Sequence, residues 1–586
     1  MSRPRRPGRD RRRGRRPVAA LALCLALAAC GGGDAPRSAV LITLDTTRRD
    51  ALSCYGAPAG LTPHLDALAA EALIYDDART VAPITLPAHA SMLTGLYPPR
   101  HGVRDNSLTP LPAAATTVAE RAEAAGMQTA AFVAAIVLND VYGVDQGFGV
   151  YDQPTGAVSG EHRYAERSGA EVAAAAVRWL EQRDREQPFL LWVHFFDPHG
   201  PNEPPREHLD RAGGDPYLGD VALMDDAVGV LLDALRADPA WEDTLVLVVG
   251  DHGEGRGEHG EETHSNFVYD STLGVPFLLR DPDGHRAGER TEELATVADV
   301  YPTLMEALSL GNPGDVDGVS LFRRNAPPER GVYFESYHGL LYFQWSPLAG
   351  WADAGGKYIH SSAPELYATA SDPDEAQNLL SAPDGAPPVE PYLDALRRLA
   401  TRPTLAPDDE TVDRSIIPAL SDLGYAGSAT ARDVPDPLDA GDAPSPHARA
   451  DELRSVMVAR FYANRGRYGD ALKLLDEVLD LNPRNHEALN RKGAYLMAAG
   501  RLGEAIEPLQ RFTEVGPDWP NVWLNLAKCL RSEGRLDEAE AWLRRVVEAD
   551  PRNRGALVAL IDLLTKAERF DDAAEFQRRL LLLQER

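Results

Sequence analysis

Three short runs of apolar, largely β-branched residues interrupt an otherwise mixed sequence, at Ala39–Leu44, Phe189–Phe196 and Leu245–Val249. Continuous apolar runs of this length suit strands buried on both faces of a parallel sheet. Each runs into acidic or imidazole residues: Asp45 after the first, Asp197-Pro198-His199 after the second, Gly250-Asp251-His252 after the third. Between them, Thr116–Ala125, Ala170–Glu181 and Asp220–Ala237 carry apolar residues at helical spacing, and Thr62-Pro63 before His64–Glu71 supplies an N-cap and a proline at N1. Alternating strand and helix patterns predict a doubly wound α/β sheet. Ligands of such sheets gather beyond the carboxyl ends of the strands, where Asp45, Asp197, His199, Asp251 and His252 would lie together. Past Val275 the pattern predicts a helix over Thr291–Leu308 and strands over Gly331–Ser336 and Lys357–His360, a small α+β subdomain closing a catalytic domain of residues 39–426.

Residues 427–447, rich in Ala, Asp, Pro and Gly, read as a flexible linker. Beyond them the chain repeats itself. Pro483, Pro517 and Pro551, Gly466, Gly500 and Gly534, and Ala471, Ala505, Ala539 and Ala573 form three series, each spaced by 34. That is the tetratricopeptide period, in which each unit is a pair of antiparallel helices with small residues at their crossing. Three repeats and a capping fragment are expected in residues 448–586, an all-α solenoid assigned to interaction with a protein or peptide partner.

Composition changes the picture mainly at the N-terminus. The chain has 60 basic and 89 acidic residues, a net charge of -29, which disfavours nucleic acid as a partner and leaves an anionic substrate dependent on local positive charge. Against that acidity, residues 1–16 are Arg-rich and precede an apolar run, Val18–Ala29, too short to span a bilayer. Leu27-Ala28-Ala29-Cys30 resembles a bacterial lipobox. The expectation is a lipoprotein signal peptide over 1–29, lipidation of Cys30, a tether over 30–38, and a place in the bacterial cell envelope, periplasmic or cell-surface, with the lipid as the only membrane contact. Cys54 and Cys529 lie far apart and imply no disulfide framework.

The stretch Thr85-Leu-Pro-Ala-His-Ala-Ser-Met-Leu-Thr-Gly95 resembles the sulfatase signature C/S-x-P-x-R-x-x-x-x-T-G of the alkaline phosphatase superfamily, with Thr85 at the cysteine position and His89 at the arginine position. Leu44-Asp45-Thr46, Thr62–Asp66, Gly250–Glu254, Val275-Pro276-Phe277 and the closing Glu365–Leu379 segment follow in the family's order. The resemblance implies an alkaline-phosphatase-like (sulfatase) fold for the catalytic domain. Residue 85, being neither Cys nor Ser, cannot become formylglycine. Thr85–His89 with the later Asn106 resembles instead the nucleotide pyrophosphatase/phosphodiesterase branch, where a threonine attacks phosphorus and an asparagine holds the oxyanion.

The expected metal ligands are Asp45, Thr85, Asp251 and His252. Three oxygens and an imidazole suit zinc, or manganese second, rather than an all-oxygen calcium shell, and a metal would lower the pKa of the threonine hydroxyl. Asp197, His199 and His264 form a possible second metal or anion site, so one or two ions are expected; the resemblance gives His199 and His264 a catalytic role. Asn106 is the candidate oxyanion donor, His89 an orienting residue, His194 a core histidine, and Lys357 a solvated lysine or substrate contact. The favoured function is hydrolysis or transfer of a small phosphate ester or diester through Thr85. The alternatives are sulfate ester hydrolysis without formylglycine and a catalytically degenerate scaffold acting through the repeats.

Overall fold

The computed structural model describes residues 37–106, 109–154, 166–322, 330–381, 385–407, 434–436, 438–439, 441–516, 518–551 and 553–583. The expected signal peptide and Cys30 lie outside the described residues. No helix among the described residues is long and apolar enough to cross a membrane.

The main sheet has eight strands: β1 Ser38–Leu44, β2 Leu73–Tyr75, β3 Gln128–Phe132, β4 Val150–Asp152, β5 Phe189–Phe195, β6 Thr244–Gly250, β7 Phe277–Arg280 and β8 Arg290–Thr291. Their order is β4-β3-β5-β1-β6-β7-β2-β8. The three apolar runs are its centre, with β1 parallel to both β5 and β6 and buried along its whole length. Leu44 is in register with Phe195 on one side and Gly250 on the other, so the residues that follow these strands emerge at one edge. The sheet is mixed, because β7 runs antiparallel to β6 and to β2.

Helices α1 (Thr85–Thr94), α2 (Gly169–Gln182) and α3 (Pro216–Ala237) belong to this domain. Every residue of α1 is buried, and Gly95, at φ 70°, ends it in a left-handed conformation that glycine adopts without a Cβ penalty. The helix predicted at Thr62-Pro63 forms over Pro63–Ala69, but the side chain of Thr62 does not cap it. Asp225 reaches in from α3 instead and accepts the N–H groups of His64 and Leu65 at 3.1 and 2.9 Å. The helix expected over Thr291–Leu308 is only Val300–Ala307, since Arg290–Thr291 and Ala295–Thr296 are taken into strands and Thr296 with Asp299 forms a capping box after them.

The subdomain is an antiparallel sheet of β9 Gly331–Ser336, β10 Leu348–Asp353, β11 Gly356–His360 and β12 Glu365–Tyr367, with helix α4 (His338–Phe343) after β9. Lys357 is neither solvated nor a substrate contact. It is fully buried, with Nζ 3.0 Å from Asp270 and 2.7 Å from Glu375.

The repeats comprise eight described helices: α5 Ala450–Asn464, α6 Tyr468–Leu481, α7 His486–Ala498, α8 Leu502–Val515, α9 Pro520–Ser532, α10 Leu536–Ala549, α11 Arg554–Lys566 and α12 Phe570–Leu582. They make four pairs, so the fragment expected at the end is a complete fourth pair. The first pairs are docked on the catalytic domain through a common apolar core that runs from Phe267, Phe334 and Trp345 into Leu453, Val456 and Leu475. Polar groups complete the seam: Trp345 Nε1 donates to Glu452 at 3.3 Å, Asn482 Nδ2 donates to the Phe343 carbonyl at 2.9 Å, and His486 Nδ1 is 3.0 Å from the Leu341 carbonyl. Described parts of the expected linker are held as well. Ser346 N–H donates to the Pro444 carbonyl at 2.8 Å, and Ser445 is buried.

Candidate active site

Thr85 opens α1, and its hydroxyl lies 3.4 Å from Asp45 Oδ2 and 3.4 Å from His252 Nε2. Pro87 in the first turn has no N–H to offer, while the Leu86 N–H is satisfied from outside the helix by Asn106 Oδ1 at 2.8 Å. Thr85 therefore stands at the electropositive end of a buried helix, where negative charge is favoured. With its Oδ1 engaged by an N–H, Asn106 must turn its Nδ2 donor the other way, and that buried nitrogen has no hydrogen-bond partner among the described residues. This is the arrangement an oxyanion donor requires.

Asp45, Asp251 and His252 are all fully buried, and one ligand atom from each lies within 4.8 Å of the others. At the end of β1, Thr46 takes a positive φ of 51° and its N–H donates to Asp251 Oδ1 at 3.1 Å, tying the two strand ends together. Gly253 is needed beside His252, because a Cβ there would come within 2.2 Å of the Ser271 carbonyl. The His252 Nδ1 donates to the Gly253 carbonyl at 2.9 Å, leaving the Nε2 lone pair toward Thr85 and Asp251. Metal-bound histidines are held in this way.

The electrostatics also ask for a cation. Burial opposes ionisation of Asp45, yet the His194 hydrogen bond and the neighbouring imidazoles outweigh it and hold this carboxyl well below its ordinary range. Burial and then the Asp45 charge drive Asp251 well above its own. Two carboxylates this close and this dry cannot both ionise unless a positive charge lies between them. Asp251 Oδ2, which has no hydrogen-bond partner among the described residues, is the atom left to bind it. The residues present thus fit a divalent cation.

The surrounding histidines divide by what they hold. Burial pushes His89 down to about 3, so its ring is neutral, and Nδ1 donates to the Thr85 carbonyl at 2.8 Å, fixing the first turn of α1. His194, expected as a core residue, is buried but belongs to the site. It accepts the Ala134 N–H at Nδ1, so its Nε2 donates to Asp45 Oδ2 at 3.2 Å. His199 and His264 stand with ring centroids 5.2 Å apart, and the His264 ring is 4.5 Å from that of His252. Asp197 does not join them: its Oδ1 accepts the N–H of Gly169 at the start of α2 at 2.9 Å, turning the carboxylate toward that helix. The partner of His264 is Glu254, 3.1 Å from its Nδ1 and buried, with its pKa pushed up to about 8. Glu254 lies in the Gly250–Glu254 motif, and its distance of three residues from Asp251 was the available signal.

His199, Glu254 and His264 form one wall of a cavity of about 400 Å³. Thr85, Asp45, Asp251 and His252 are buried, and the link from this cavity to them is the His264 ring beside His252.

The family comparisons agree with this geometry. The Sulfatase family model matches residues 37–310. Over those residues the chain is similar to the sulfatase family. Tetratricopeptide repeat models match residues 459–518, 496–553 and 530–584. The chain is 27% identical over 463 residues to arylsulfatase A of Homo sapiens, covering 64% of this chain and 89% of that protein. It is 23% identical over 435 residues to the delta 4,5-hexuronate-2-O-sulfatase of Bacteroides thetaiotaomicron, covering 61% and 88%. Among solved structures, the phosphonate monoester hydrolase of Agrobacterium radiobacter superposes with a TM-score of 0.52 at 23% identity, covering 62% of this chain and 95% of that one.

Proposed function

We propose that the sulfatase-family domain hydrolyses a small phosphate-type ester or diester, with Thr85 as the nucleophile. The observation that carries this reading is the Thr85 hydroxyl at a helix N-terminus, 3.4 Å from both Asp45 Oδ2 and His252 Nε2. In the proposed reaction Thr85, its hydroxyl proton released to solvent, attacks phosphorus through Oγ1, Asn106 Nδ2 and the start of α1 receive the developing charge, and the bond from phosphorus to the alcohol oxygen breaks as that oxygen takes a proton. The Glu254–His264 pair, whose members are pushed up to about 8 and down to about 4, holds one proton at neutral pH on the cavity side. It is the acid for the departing alcohol. Water, or an acceptor alcohol, then resolves the phosphothreonine. Asp45, Thr85, Asp251 and His252 would hold the divalent cation, zinc first and manganese second, which would supply acidification of the hydroxyl and charge neutralisation. A second ion is not part of the proposal, since Asp197 is engaged elsewhere.

A second reading, sulfate ester hydrolysis, is favoured by the names of the sequence relatives above, which are sulfatases. A degenerate scaffold has less support, because the donors and the oxyanion asparagine are all present and buried. Export and lipid attachment through Cys30 are inferred from the sequence of residues 1–33, and a protein or peptide partner for the outer repeats from their resemblance to interaction modules.

The test is turnover of 4-nitrophenyl phosphate, bis(4-nitrophenyl) phosphate and 4-nitrophenyl sulfate by zinc- or manganese-loaded wild-type protein beside Thr85→Ala. A preference for the phosphate esters, with Thr85→Ala lowering kcat by on the order of a thousandfold or more, is expected. A clear preference for the sulfate would establish the second reading, and equal rates for the two proteins would remove Thr85 from the mechanism.

A further inference from the structure

The cavity lined by His199, Glu254 and His264 is lined from the repeats as well. Leu453, Val456, Met457, Arg460, Phe461 and Asn464 line it from α5. Their spacing of three, one, three, one and three residues defines one face of a helix. Part of that face is buried against the catalytic domain, as Leu453 and Val456 are, and part is open, as Phe461 is at 51%. The first repeat is held firmly there by the Trp345–Glu452 and Asn482–Phe343 hydrogen bonds. The sequence assigned the repeats to interaction alone; the structure places their first helix across the active-site cavity.

The charges on this wall are unevenly satisfied. Arg491 of α7 is ion-paired with Glu487, one turn away. The repeat arginines that begin α6, α8, α10 and α12 each pair three residues on, Arg467 with Asp470, Arg501 with Glu504, Arg535 with Glu538 and Arg569 with Asp572. Arg460 is different. It is half-buried, it lines the cavity, and it makes no hydrogen bond or ion pair with any described residue. In a chain of net charge -29, an uncompensated guanidinium beside an apolar strip is a site for an anion attached to an apolar body.

We propose that Arg460 determines substrate specificity: it binds a second anionic group, carried by the alcohol portion of the ester, while Val456, Met457 and Phe461 pack against the apolar body between the two charges. This rests on the hydrolase reading above and narrows its substrate class to esters of apolar alcohols that bear a charge of their own. It also gives the fusion of the two domains a chemical purpose, since the catalytic domain alone would lack that wall.

The experiment uses the full chain and two fluorogenic phosphate esters, 4-methylumbelliferyl phosphate and the phosphate of 7-hydroxycoumarin-4-acetic acid, which differ by one carboxylate. Arg460→Gln is expected to raise KM for the carboxylate-bearing ester by about tenfold, the size of one charge-assisted contact, with kcat unchanged and the neutral ester altered less than about twofold. Arg460→Lys should recover part of the loss, and Arg501→Gln, which removes a charge away from the cavity, should change neither ester. Binding of 7-hydroxycoumarin-4-acetate, followed by calorimetry, reads the same contact without turnover and should weaken in Arg460→Gln by the same factor. Equal effects on the two esters, or product binding indifferent to the substitution, would overturn the assignment. Should neither ester turn over while product binding still depends on Arg460, the hydrolase reading fails and the anion site stands.

Discussion

Asn106 performs two tasks with two atoms, and they can be separated. Its Oδ1 accepts the Leu86 N–H at 2.8 Å, satisfying a first-turn donor of a helix that is buried throughout, and its Nδ2 has no partner among the described residues. Asn106→Ala removes both. Leaving a buried N–H unsatisfied costs about 1–3 kcal/mol of stability, and losing one oxyanion donor costs about 2.7–4 kcal/mol in the transition state, on the order of a hundred- to a thousandfold in kcat. Asn106→Asp restores the acceptor for Leu86 and so should recover most of the stability, while replacing the donor with an oxygen that repels the developing charge. The expected result is that the aspartate variant unfolds near wild-type denaturant concentration and is at least as inactive as the alanine variant. Chemical denaturation and steady-state turnover of the same preparations decide it. Activity that returns together with stability in Asn106→Asp would mean that Asn106 is a helix cap and nothing more.

Two further outcomes follow from the same structure and a third from the sequence. Burial raises the Asp270 carboxyl, but Arg79 and Lys357 outweigh it and hold the group well below its ordinary 3.8. Its contribution is therefore complete above that value and lost as pH falls below it, so Asp270→Asn should flatten the acid limb of a melting-temperature profile and cost about 3–5 kcal/mol at neutral pH; an unchanged acid limb would contradict this. Trp345 is fully buried in the seam with the repeats, and Trp345→Ala should cost about 3–5 kcal/mol and make the chain susceptible to proteolysis between the two domains. Cys30→Ala should abolish incorporation of labelled fatty acid in a bacterial host and release the protein from the membrane fraction; continued labelling would remove the lipoprotein reading.

The central strands were legible because residues buried on both faces leave a continuous apolar run; Asp45, Asp251 and His252 were legible because they follow the ends of such runs, and Thr85 through the resemblance of Thr85–Gly95 to the sulfatase signature. Context decided the rest. His194 reads as core by its apolar neighbours, and only its register opposite Thr43, beside Asp45, gives it a carboxylate to orient. Lys357 follows two glycines and reads as exposed, whereas its partners Asp270 and Glu375 come from distant loops. Asp197 stands beside His199 in sequence but is drawn to the first N–H of α2. The contribution of α5 to the cavity had no local signature at all. An apolar stripe on a repeat helix looks the same whether it meets the next repeat or another domain's active site.

The most direct test of Thr85 as a nucleophile is mass spectrometry of metal-loaded enzyme quenched during turnover of a phosphate ester. A peptide containing Thr85 should carry one added phosphoryl group, localised to that residue by fragmentation, appearing with substrate and absent from Thr85→Ala. Sustained turnover with Thr85 unmodified at every quench time, together with an active Thr85→Ala enzyme, would contradict the account.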